Sequence, residues 1–147
     1  MANSVDYDAI DIGDEAPGIE VNFNLDQVKG FLGAWNGRVD SANSRFTNRE
    51  QAEKEGFGGN AIIPGRLGLA VIARAVQEWL PDGRIEKLDV VFRAPTFQET
   101  KHTASAMVTD KTEDDSEIRY EIDVYLEREG EDALRPQRGA AIVVVKK

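Results

Sequence analysis

The residues able to do chemistry in this chain are few, and their scarcity narrows the reactions open to it. There is no cysteine and one histidine, His102. Thiolate nucleophiles, disulfides and cysteine-based zinc or iron–sulfur sites are therefore excluded. A metal site of several histidines is impossible, and a Ser-His-Asp triad would have to run through His102. That residue stands on a predicted strand, Lys101-His102-Thr103, with no base–nucleophile pair beside it, so it reads as structural or exposed rather than catalytic. Acid–base work by a carboxylate and polarisation by backbone donors remain. Gly65, just after Pro64, begins the most apolar helix of the chain. A helix N-terminus offers unpaired N–H groups and a favourable dipole, and glycine lets a ligand approach the backbone. The same residues also suit a plain helix-start turn. The polar stretch 37–48 (GRVDSANSRFTN) has no periodicity and carries Asp40, Asn43 and Arg45. A loop aspartate is usually solvated or capping, and Asp40 would need a perturbed pKa to act as a general acid or base.

The elements that must hold these residues can be traced along the chain. Residues 1–17 are acidic and turn-rich, an N-terminal arm. Ile19, Val21 and Phe23 alternate with polar residues as a half-buried strand does. Asn24 offers an N-cap to a helix in which Leu25, Val28, Phe31, Leu32 and Trp35 recur at helical spacing, ending at Asn36-Gly37. Asn48 caps a short polar helix that ends at Gly56. The loop Phe57-Gly58-Gly59-Asn60-Ala61-Ile62-Ile63-Pro64-Gly65 leads into a helix through Leu80, stopped by Pro81-Asp82-Gly83. That helix is apolar on nearly every side, with one narrow stripe of Arg74, Gln77 and Glu78. It should be enclosed by sheet. Strands follow at Leu88–Arg93 and His102–Val108. After the acidic turn Asp110–Asp115, Ile118, Tyr120, Ile122, Val124 and Leu126 alternate strictly with polar residues. Gly130 opens another acidic turn, and Gly139–Val145 is a fully apolar last strand. Neither acidic turn has the spacing of an EF-hand calcium loop, and no metal site is expected.

With 147 residues and no linker or repeat, the chain reads as one domain, 1–147. Its 18 basic and 27 acidic side chains give a net charge of −9, which disfavours nucleic acid and anionic membrane surfaces. No apolar run approaches the ~20 residues that span a bilayer, and Met1–Asp6 lacks the pattern of a signal peptide. A cytoplasmic protein is the expectation.

The order of these elements, an α+β arrangement of helix then antiparallel meander, resembles the hot-dog fold: a sheet wrapped around a long central helix at about 64–80. Within it, Ile12-Gly13-Asp14, the strand and helix from Asn22 to Trp35, Phe57-Gly58-Gly59 with Pro64-Gly65, and Phe92-Arg93-Ala94-Pro95 are similar to the MaoC-like acyl-CoA hydratases and dehydratases. The Phe57–Gly65 phrase is also similar to the acyl-carrier-protein dehydratases. The resemblance implies an acyl-CoA thioester as ligand, no cofactor beyond the coenzyme A it carries, and a cleft between two subunits of a homodimer or heterodimer. The hydratases use an aspartate and a histidine five residues apart. Asp40 matches the aspartate, but the histidine position holds Arg45, and a second family histidine position holds Pro64. Against the carrier-protein dehydratases, the histidine becomes Gly56 and the helix acid Ala70. By the same resemblance, Asp40 would carry the proton and the Gly65 N–H would bind the thioester oxygen as charge develops. Asn43 and Arg45 would orient a carbonyl or water, or Arg45 would pair with Asp40. Arg66, Arg93 and Lys101 are candidates for the coenzyme A phosphates. Three readings stay open: an enoyl-CoA hydratase or 3-hydroxyacyl-CoA dehydratase, a hydro-lyase with a non-standard site; a non-catalytic subunit beside a catalytic MaoC-like chain; and an acyl-CoA thioesterase.

Overall fold

In a computed structural model, residues 4–36, 44–130 and 133–147 are described. The elements run β1 (Ile19–Asn22), α1 (Leu25–Asn36), α2 (Arg49–Lys54), α3 (Gly65–Trp79), β2 (Arg84–Phe92), β3 (Lys101–Glu113), β4 (Glu117–Arg128) and β5 (Gln137–Lys146). The strands form one antiparallel sheet in the order β1-β3-β4-β5-β2, with α3 packed on it. This is the hot-dog arrangement, and the central helix and its two ends fall where the sequence places them.

Local chemistry accounts for the helix starts. The Asn24 side chain accepts from Gln27 N at 2.9 Å while Gln27 Oε1 accepts from Asn24 N at 3.2 Å, a reciprocal cap on α1. Asn48 accepts from the backbone of Glu50 and Gln51 to start α2. Pro64 precedes α3 at φ −59° and ψ 135° and gives it no side-chain cap.

The sheet departs from the expected boundaries at three places. β3 runs on through Asp110 to Glu113, so the acidic stretch is strand and the turn lies at Asp114, whose Oδ1 accepts from Ser116 N at 2.7 Å and Glu117 N at 3.0 Å. A bulge between Val108 and Asp110 shifts the register there, and beyond it the polar end of β3 pairs with the part of β4 whose Ile118 and Tyr120 still reach the core. β2 begins at Arg84 rather than Leu88. It is an edge strand whose start is held by Glu86, 3.0 Å from both Arg84 and Arg119, and such charged positions hide an apolar alternation. β5 begins at Gln137, two residues before Gly139.

The expected enclosure of α3 by the sheet holds for one face, and its exposed side is wider than the stripe of Arg74, Gln77 and Glu78. Gly68, Ile72, Ala75 and Val76 form one buried face against the sheet, with Leu80 at its end. Leu67, Val71 and Trp79 are half-buried against the core, whereas Ala70, Arg74, Gln77 and Glu78 are exposed. A five-stranded sheet curls over one side of a helix; in a single chain, small residues such as Ala70 on the other side face outward.

The N-terminal arm is bound closely. Residues 13–16 prolong the β1 edge along β3, with Gly13 N donating to Val108 O at 2.9 Å and Ala16 N to Ala106 O at 2.8 Å. Lys111 Nζ donates to the carbonyls of Asp8 and Ile10, and the buried Tyr120 hydroxyl donates to the Tyr7 carbonyl. The Tyr7 hydroxyl donates in turn to Asp82 at 2.8 Å, tying the arm to the turn after α3.

Candidate functional site

A groove of about 430 Å³ opens at the start of α3, lined by Phe31 and Leu32 of α1, Phe46, Pro64, Gly65 and Arg66, and Phe92 at the end of β2. The reciprocal cap on α1 fixes the direction in which Phe31 and Leu32 reach it. On the other side the loop before α3 is stitched to the segment after β2. Ile63 N donates to Thr96 O at 2.9 Å, Gln98 N to Ala61 O at 2.9 Å, and Ile62 bridges Phe97. The buried Gln98 amide then clamps two carbonyls, Phe46 O at 2.6 Å and Ile62 O at 3.1 Å. Gln98 thus sets one groove wall, and nothing in its sequence context marks it.

Gly65 lies at the groove, where α3 starts without a side-chain cap and the Leu67 N–H donates to the Pro64 carbonyl at 3.0 Å. Arg66 lies on the rim and is exposed. Arg93 follows Phe92, with its backbone N–H on Pro136 O at 2.7 Å, and does not line the groove. Lys101 is placed elsewhere, 3.2 Å from Glu20 and 4.0 Å from Glu129 in a recess bordered by Glu127 and Arg128. Its hydrogen bond to Glu20 raises its pKa, with both carboxylates adding to the effect. Of the three phosphate candidates, the fold brings Arg66 alone to the groove.

Arg45 forms an ion pair with Glu55 at 3.3 Å, and its guanidinium lies 5.3 Å from the Phe46 ring centre and 5.9 Å from that of Phe57. Its described contacts bind loop to α2 and cannot supply a base, since a guanidinium stays protonated. Asp40 and Asn43 lie outside the described residues. None of the described residues lining the groove is a carboxylate or an imidazole. Among the described residues, no cluster of three His, Asp or Glu side chains could hold a metal ion.

His102 is buried on the core face of β3, 1 % exposed, and 6.2 Å from the Phe23 ring. Its Nδ1 lies 2.8 Å from the Thr100 carbonyl. A carbonyl only accepts, so Nδ1 carries the hydrogen and Nε2 is bare, with no partner among the described residues. Burial pushes its pKa down, more than the Thr100 carbonyl raises it, and the Arg128 charge lowers it further. Of the two roles the sequence allows it, structural or exposed, the structure gives the first. A second recess of about 480 Å³, bordered by Tyr7, Asp82, Arg84 and residues 144–146, is the seam where the arm crosses the end of the sheet.

No protein-family model matches the chain, and no curated protein matches its sequence. Solved structures do resemble it. An (R)-hydratase from A. caviae involved in PHA biosynthesis superposes with a TM-score of 0.77 at 18% identity, over 93% of this chain and 98% of that one. A MaoC-like dehydratase from Rhodospirillum rubrum gives 0.77 at 16% identity, over 98% of each chain. A chain of the ChsH1-ChsH2 complex from Mycobacterium tuberculosis gives 0.71 at 14% identity, over 92% of this chain and 98% of that one. No helix among the described residues is long and apolar enough to cross a membrane. Over nearly its whole length, the chain has the hot-dog fold of these MaoC-like hydratases and dehydratases.

Proposed function

We propose that this chain is a MaoC-like hydratase or dehydratase subunit that binds an acyl-CoA thioester in the groove at the start of α3. The observation that carries the reading is the groove itself: apolar walls from Phe31, Leu32, Phe46 and Phe92 meet an uncapped helix N-terminus, with the Arg66 cation on the rim. Apolar walls suit an acyl chain, oriented N–H groups suit a thioester carbonyl, and a rim arginine suits a phosphate. Hydration would begin with Asp40 taking a proton from water as its oxygen bonds to C3 of the enoyl chain. Charge moving onto the thioester oxygen would be met by the Gly65 N–H, and the proton that Asp40 took from water would pass to C2, which completes the 3-hydroxyacyl product and restores the carboxylate.

A second reading, that catalysis is performed by another MaoC-like chain and this one shapes the acyl site, is favoured by Arg45. It occupies the position that the resemblance gives to the catalytic histidine, and it is engaged with Glu55, Phe46 and Phe57. Either reading fits pairing with a second chain. Among the described residues β2 is an edge strand, paired in the sheet with β5, and its Val91 and Phe92 are each 51 % exposed.

The test is loss of enoyl absorbance when the purified protein is mixed with short, medium and bulky enoyl-CoAs, with free thiol followed in parallel. Turnover abolished by Asp40→Asn supports the hydratase. Binding without turnover, restored when a MaoC-like chain carrying the aspartate–histidine pair is added, supports the subunit reading. Thiol release without hydration would replace both with a thioesterase, and no binding of any acyl-CoA would refute the groove as an acyl site.

A further inference from the structure

Three segments that belong to no common element meet beside the groove, and one side chain ties them together. Residues 61–63, the entry to α3, are bonded on one side to the backbone at Arg45 and on the other to residues 96–98. Ile62 N donates to Arg45 O at 3.1 Å, while Ile63 N donates to Thr96 O and Gln98 N to Ala61 O, each at 2.9 Å. The Gln98 amide joins the outer segments: its Nε2 donates to Ile62 O at 3.1 Å and to Phe46 O at 2.6 Å. Of the two ends of an amide, only the nitrogen can face two carbonyls, and both its hydrogens are spent on them.

Gln98 is itself firmly held. It is buried, and the next residue, Glu99, stands at φ 55°, a left-handed conformation that side chains other than glycine rarely adopt. Such strain persists only where the surroundings impose it. Here the bonds of Gln98 N to Ala61 O and of Glu99 N to Phe23 O, the latter at 2.8 Å, do so from both sides. The Thr100 hydroxyl adds a third, to Gln98 O at 3.3 Å. The residue that Gln98 holds is a wall of the groove. Phe46 is half-buried, its N–H donates to the Ser44 hydroxyl at 3.1 Å, and its carbonyl is fixed by the amide.

We infer that Gln98 is a positioning residue for the acyl group: by fixing Phe46 against the entry to α3, it makes the groove favour unbranched over branched chains. The inference rests on the acyl-thioester reading of the groove. Gln98 does not line the groove and touches no ligand; it acts through Phe46, which does line it. A pinned wall opposes extra methyl groups as a packed core does, whereas a released wall moves aside for them.

The experiment is calorimetric titration of the full chain with butanoyl-CoA and 3,3-dimethylbutanoyl-CoA, saturated thioesters that no hydratase can turn over. The parent chain should bind butanoyl-CoA at least about tenfold more tightly. Gln98→Met keeps the length of the side chain without its donors, and should cut that preference to under about threefold by admitting the branched ligand. A merely structural role would weaken both ligands alike and leave their ratio unchanged. Phe46→Leu should lower the preference by itself, and Gln98→Met added to it should change the ratio no further. A parent chain without the preference, or a Phe46→Leu variant that keeps it in full, would overturn the inference alone, whether or not Gln98→Met folds. So would an unchanged ratio in Gln98→Met, or two substitutions whose effects on the ratio multiply. Binding of neither ligand would overturn the proposed function and this inference with it.

Discussion

Gly68→Ala tests the packing beneath the groove, because two effects of known sign oppose each other there. In a helix interior, alanine is favoured over glycine by ~1 kcal/mol. At Gly68 the added methyl would meet the Gln137 amide at 2.5 Å. The far end of a flexible side chain ordinarily gives way, but this one is 2 % exposed and bonded to Gly65 O. Moving it costs that hydrogen bond, about 1 kcal/mol, and overpacking adds roughly 1–3 kcal/mol. The net expectation is a loss of ~1–3 kcal/mol, or about 3–9 °C in Tm for a chain of this size. Gly30→Ala provides the opposite sign. Gly30 is exposed in α1 with nothing within 4 Å of its added Cβ, so the variant should gain ~1 kcal/mol. Urea unfolding of both variants, with Gln137→Ala and the Gly68→Ala/Gln137→Ala double variant, completes a cycle. If the amide is what the methyl strikes, the double variant should be more stable than the two single losses predict, by at least about 1 kcal/mol. Additive losses, or a Gly68→Ala chain as stabilised as Gly30→Ala, would refute the packing argument.

Folding stability should respond to pH at both ends of the range. His102 has a pKa lowered by burial, so the unfolded chain binds its proton more readily. Stability should fall as pH drops below about 6.5, and His102→Phe should flatten that slope between about pH 7 and 5 in urea titrations. Tyr120 is pushed up to about 12 by burial, so stability held below about pH 10 should be lost between about pH 10 and 12, a loss that Tyr120→Phe abolishes. That substitution also removes the bond to the Tyr7 carbonyl and should cost about 1 kcal/mol at pH 7, measured by the shift in urea midpoint. Gly139→Ala would place a methyl 1.8 Å from the Asp89 carbonyl oxygen, a backbone atom that can retreat only by opening the β2–β5 ladder. Its expected cost is about 3 kcal/mol or more, and a soluble variant with an unchanged midpoint would contradict the strand packing.

What the sequence discloses and what it hides follow from how each residue gets its role. Asn24 and Asn48 cap helices through atoms two or three residues away, so a local reading finds them. The strict alternation of Ile118 to Leu126 reports a strand with one face in the core, and the structure shows that pattern along β4. The start of β2 is invisible to the same reasoning, because its charges pair with Arg119 on β4, which the sequence places 33 residues away from Glu86. The enclosure of α3 is overstated by composition alone: Ala70 and Ala73 count as apolar wherever they stand, and small side chains impose no requirement to be covered.

The candidate site divides the same way. A Pro-Gly helix start is a local signal, and it places Gly65 and Arg66 at the start of α3, where both line the groove. Lys101 is paired with Glu20 and Glu129, which come to it through the sheet from positions that no spacing along β3 connects. Gln98 and Gln137 carry no local signal in the sequence. Each acts at long range, Gln98 on Phe46 from 52 positions away and Gln137 on Gly65 from 72. Buried amides are conspicuous only once the fold shows that they are buried, and both stand where their bonds fix the groove. The backbone at Phe46 and the first turn of α3 are therefore positioned by side chains from the segment between β2 and β3 and from the start of β5. A change in either amide should alter ligand binding at the groove before it alters the sheet, since neither amide group contributes to the backbone ladders that hold the strands together.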